Sequence, residues 1–111
     1  MTRMMLATAA LLGTVSLSSA ETVEVKYRGP VPLDSFTCPA LKPSSFVNRI
    51  CYDAAERYLI VQLKQTYYHY CELPQAVFEG WVAAPSLGRF YNQEVKGGVF
   101  DCRGKALPEY P

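Results

Sequence analysis

Histidine and tryptophan occur once each in 111 residues, and no two cysteines stand closer than 13 positions. One histidine leaves no second imidazole for a metal site, and the wide cysteine spacing lacks the close Cys pairs that zinc sites use. No cofactor or metal is expected. Charge of one sign is also missing: 11 Lys and Arg stand against 10 Asp and Glu, without a block of either. Nucleic-acid binders normally carry a basic face, so this balance disfavours nucleic acid as a partner. Internal repeats and low-complexity tracts are absent. Beyond residue 20 no stretch is long and apolar enough to cross a bilayer, which takes ~20 such residues.

The opening segment, MTRMMLATAALLGTVSLSSA, has Arg3 near its start, an apolar run from Met4 to Leu17, and Ser18 and Ala20 where a leader peptidase cuts. This three-part pattern predicts a secretory signal peptide over residues 1–20. The run is short for a membrane anchor and is interrupted by Thr8, Gly13, Thr14 and Ser16. The expected product starts at Glu21, without a transmembrane segment, and is periplasmic or secreted. Arg3 leaves with the leader, so formal charge in the remainder cancels.

Cys38, Cys51, Cys71 and Cys102 all lie in that remainder. An even count in a short exported chain predicts two disulfides, each worth ~2–4 kcal/mol in a domain with a modest core. His69 and Cys71 would share one face of a strand, the spacing of a Cys–His nucleophile pair. A disulfide would consume that thiol, and no enzyme activity is expected.

Residues 21–44 read as an N-terminal arm. ETVEVKY alternates like a short edge strand, and Pro30, Pro32, Pro39 and Pro43 then fix an extended path. The compact body opens near Phe46. FVNRICYD, YLIVQLK and YYHYCEL read as three strands joined by the tight turns DAAER and KQT, an antiparallel meander. Pro74 starts a helix with Val77, Phe78, Trp81 and Val82 in one stripe. Ser86 caps a second helix carrying Leu87, Phe90, Tyr91 and Val95, which Gly97 and Gly98 end. The predicted fold is α+β: a three-stranded antiparallel meander covered on one face by two short helices. The arm and a C-terminal tail, residues 98–111, are tethered to it by disulfides. Outer strands of a meander lie two spacings apart, about 9.6 Å, too far for a disulfide. Cys51–Cys71 is therefore disfavoured. Cys38–Cys51 with Cys71–Cys102, and Cys38–Cys71 with Cys51–Cys102, both remain open.

The ordered set Ser45-Phe46, Tyr52-Asp53, Tyr68-His69-Tyr70, Leu73-Pro74, Ala84-Pro85-Ser86-Leu87-Gly88-Arg89-Phe90-Tyr91-Asn92 and Val95-Lys96 resembles the KTSC domain. That family is named for its occurrence at the C-terminus of some lysyl-tRNA synthetases. The resemblance covers residues 45–97 and implies a small α+β domain, with RNA binding suggested by association. The predicted leader, the cysteines and the neutral charge depart from the synthetase setting.

The candidate binding residues are Tyr68, His69, Tyr70 and Arg89. If the hairpin turns at Lys64-Gln65, Tyr68 faces Val61 and Tyr70 faces Leu59, which puts both tyrosines under the helices. His69 then points to the opposite face, beside Ile60 and Tyr67, where the arm is the simplest cover. Arg89 falls on a solvated helix face, with Gly88 allowing close packing. The reading that follows is a non-catalytic domain serving binding or structural association in the bacterial envelope or outside it, with an unknown protein or envelope ligand as partner. The alternative is a nucleic-acid module using Tyr68, Tyr70 and Arg89.

Overall fold

The structure is a computed structural model describing residues 21–111. The leader expected over residues 1–20 lies outside the described residues. Five strands form one mixed sheet: β1 (Thr22–Val25), β2 (Gly29–Pro32), β3 (Val47–Asp53), β4 (Tyr58–Leu63) and β5 (Thr66–Tyr70). Their order across the sheet is β2-β1-β5-β4-β3. Two helical segments follow, α1 (Gln75–Val82) and α2 (Leu87–Phe90).

The expected meander is present as β3, β4 and β5, but the three-stranded sheet needs correcting. β1 is not an edge. It pairs antiparallel with β2 on one side, and on the other runs parallel to β5 through Val25 and Tyr67. Eight residues of the supposed arm, β1 and β2, are thus sheet. Pro30 and Pro32 cost nothing there because β2 is the outermost strand, where missing donors face away from the ladder.

The two-residue period sorts the core. Leu59, Val61, Tyr68 and Tyr70 face the helices, with Tyr52, Leu73, Trp81, Leu87, Tyr91 and Val95. Tyr58, Ile60 and Cys51 face the other way. β3 obeys this rule only because its register shifts between Val47 and Arg49, a bulge that lets Val47 and Ile50 point to one side. The second face is covered as expected for the arm. The segment after β2 crosses to the far edge of the sheet, where Thr37 pairs with Tyr52 in both directions, at 2.8 and 2.9 Å.

The second helix also differs from expectation. α2 has four residues, and from Tyr91 to Val95 the chain widens to a π-turn, closed by Lys96 N–H on the Tyr91 carbonyl at 2.9 Å. Leu87, Tyr91 and Val95 recur at every fourth position and all are buried. A wider turn keeps such a stripe facing the core where a regular helix would rotate it away.

Of the two pairings left open, Cys38–Cys51 and Cys71–Cys102 are formed. The isolated Thr37–Tyr52 bridge sets Cys38 opposite Cys51 of β3, with Cα atoms 4.2 Å apart.

Candidate functional site

β5 is the middle strand of the sheet, yet its outer side is only partly covered. β1 leaves it after one pair. The Tyr67 carbonyl accepts from Lys26 N–H at 2.8 Å, and Cys71 N–H donates to the Phe100 carbonyl at 2.7 Å. Between these contacts a cleft of about 480 Å³ opens, lined by Tyr27, Tyr68, His69 and Tyr70 and, from the tail, by Asp101, Cys102, Arg103, Lys105 and Leu107. The Cys71–Cys102 disulfide holds the tail wall against the end of β5.

The tyrosines are fixed from behind. Register places Val61 opposite Tyr68 and Leu59 opposite Tyr70, so their rings pack on the helix-side core and are half-buried. The Tyr70 and Tyr91 hydroxyls lie 2.6 Å apart in a hydrogen bond. Burial, then that bond, pushes the Tyr70 phenol far above its ordinary value. The Lys26 ammonium lies 5.4 Å from the Tyr27 ring centre and 5.8 Å from that of Tyr68, within cation–π range of both.

His69 sits opposite Ile60 on the other face. Its Nδ1 is 2.8 Å from the Tyr58 hydroxyl. Burial lowers its pKa, nearby Arg28 lowers it further, and Asp101 offsets part of this. A neutral imidazole accepting from Tyr58 fits that direction. Tyr58 in turn has its phenol raised by burial, with Arg28 opposing. The Arg28 guanidinium stacks 5.2 Å from the Tyr58 ring and 5.5 Å from that of Tyr110, and donates to the Pro108 carbonyl. Tyr110 donates to the buried Asp53 carboxylate at 2.7 Å. These contacts bind the tail across the second face. Among the described residues no cluster of His, Cys, Asp or Glu has the makings of a metal site.

Tyr68, His69 and Tyr70 therefore meet at one cleft, and Arg89 does not join them. Arg89 is exposed and lines a separate, shallow groove of about 530 Å³ with Ser44, Ser45, Ser86 and Asn92. Sequence reasoning missed Tyr27 and the tail residues. A signal for Tyr27 was available: it stands in a K-Y-R-G-P turn, where glycine or asparagine is the usual choice. The tail wall needed the Cys71–Cys102 pairing, one of two left open.

A disulfide-stapled α+β domain with one sheet-edge cleft is the class these features define. The chain belongs to the KTSC domain family, whose model matches residues 43–100. It is similar to a solved structure, the KTSC domain protein YPO2434 from Yersinia pestis. Identity is 30%, the TM-score is 0.52, and the match covers 57% of this chain and 89% of that one. No curated protein matches the chain.

Proposed function

We propose that the protein is an exported, disulfide-locked, non-catalytic binding domain that acts in the bacterial envelope or outside it, with the β5-edge cleft as its binding surface. The cleft carries this reading: preset aromatic rings and charged side chains converge at a stretch of sheet edge that the fold leaves open. Supporting it, both disulfides suit an oxidising compartment. The sulfur beside His69 is bonded, and the imidazole is engaged by Tyr58. The nucleic-acid alternative asks Arg89 to act with Tyr68 and Tyr70, from which it is separated.

Export and oxidation are tested together. The protein expressed from its full sequence in a Gram-negative host is fractionated and its intact mass measured before and after reduction. The expected product begins at Glu21, lies outside the cytoplasm, and gains about 4 Da on reduction, one hydrogen (a proton and an electron from the added reductant) per sulfur. Full-length chain in the cytoplasm with four free thiols would overturn the proposal.

A further inference from the structure

The outer side of β5 presents main-chain groups at one residue. Tyr67 and Cys71 use theirs on Lys26 and Phe100. Strand alternation turns the N–H and C=O of His69 to that same side, and no described backbone group pairs with them. A donor and an acceptor one strand-residue wide thus lie on the floor of the cleft. An unpaired edge is a template for another extended chain, and a single peptide residue in strand conformation offers the complementary pair.

The mouth carries a second, independent sign. Tyr27 has φ of 71° and is 82% exposed. It is the third residue of the turn closed by Arg28 N–H on the Val25 carbonyl at 3.0 Å, where positive φ favours glycine or asparagine. A large side chain there strains the backbone. With its ring in solvent it contributes little to the core, so folding alone does not account for it. The ring does border the cleft, with Tyr68 and the Lys26 ammonium beside it.

Charge narrows the ligand. Arg103 and Lys105 line the cleft but are paired, with Asp101 at 3.6 Å and Glu72 at 3.8 Å, which leaves Lys26, beside the Tyr27 and Tyr68 rings, as the cation at the mouth with no carboxylate partner among the described residues. Accepting the cleft as the binding surface proposed above, we infer that its ligand is an extended peptide. One residue adds to β5 at His69, its aromatic or large apolar side chain lies against Tyr27 and Tyr68, and an acidic flank faces Lys26.

The test is a ¹⁵N NMR titration of the purified oxidised protein with blocked tetrapeptides. These have the sequence Glu-Phe-Val-Glu, the same peptide N-methylated at Phe, and a version with Lys for both Glu. A chitin tetrasaccharide and a 12-mer RNA serve as comparisons. The expected result is shifts confined to residues 26–27, 67–71 and 100–107, with N-methylation and charge reversal each weakening binding tenfold or more. Tyr27→Gly should weaken it at least fivefold without lowering Tm, since glycine suits that backbone. Equal affinity of the N-methylated peptide, or unchanged affinity in Tyr27→Gly, would sink the strand-addition inference. Saccharide or RNA shifting these residues while the peptides do not would overturn the peptide alone and keep the cleft. If none of the probes moves them, both fall.

Discussion

At the residue scale, Gly88 shows most directly how this family's motif becomes packing. A Cβ built at Gly88 would lie 2.5 Å from Cε1 of Phe46 and 3.0 Å from its Cζ. Nothing else in the L-G-R-F run could let the α2 backbone approach Phe46 so closely. Gly88→Ala should therefore destabilise the protein by about 1–3 kcal/mol, as overpacked cores do. Adding Phe46→Leu should recover part of the loss, read from denaturant midpoints at constant slope. Close packing at Gly88 was legible in the sequence, as was the cap: Ser86 Oγ accepts from Arg89 N–H at 3.2 Å. His69 supplies a pH prediction. Its pKa is below the ordinary value of 6.5 in the folded state, so the unfolded chain binds the proton more readily. Its stabilising contribution is complete above about pH 6.5 and is lost as pH falls through the depressed value. Tm should decline between pH 7 and 5, and His69→Gln, which keeps an acceptor for Tyr58, should flatten that decline. Glu21, whose carboxyl is lowered by its hydrogen bonds with Arg49, adds a loss of the same sign only below about pH 4.5.

At the scale of elements, local pattern carried the meander and long-range pairing did not. Leu59, Val61, Tyr68 and Tyr70 alternate with polar or opposite-face residues, and the Lys64-Gln65 turn sets their register. Both facts lie within a dozen consecutive positions. β2 was hidden because two of its four residues are proline, a composition that reads as arm until a partner strand is known. The parallel contact of Val25 with Tyr67 leaves no local trace at all. The π-turn was half visible, since burial at every fourth position was readable while the widening was not. The tail wall of the cleft belongs to this scale too. Replacing Cys71 and Cys102 together with alanine should cost about 2–4 kcal/mol. Amides from Arg103 to Tyr110 should then exchange far faster, while those of β3 and β4 stay protected. Equal loss of protection throughout would show that the tail and the sheet open as one unit.

For the whole molecule, the balance of charge matters most. After residue 20 the basic and acidic residues are equal in number, so no strong field gathers polyanions. On immobilised RNA the oxidised protein should elute with the void at about 0.1 M salt. Retention that falls steeply with added salt would restore the nucleic-acid reading. One of the two cores lies wholly inside the family's matched segment, and the other joins Cys51, Tyr58, Ile60 and Cys71 of that segment to residues on both sides of it. The fully buried residues between the sheet and the helices, from Val47 to Val95, all lie within residues 43–100. The other core takes Val23, Val25, Val31 and Leu33 from before that segment, and Cys102, with Leu107 and Tyr110 packed on it, from the far end.

Each crosslink straddles the boundary of the matched segment. Cys38 and Cys102 come from outside the matched segment, while Cys51 and Cys71 come from within it. The bonds act as seams sewing a jacket onto a body that has its own packing. Before the sulfurs are joined, strand pairing and side-chain packing alone hold the flanking segments over Tyr58 and Ile60, and refolding chains that expose such apolar surface are prone to associate. The supply of oxidant during refolding should consequently govern how much monomer is recovered, even where the finished molecule tolerates later reduction.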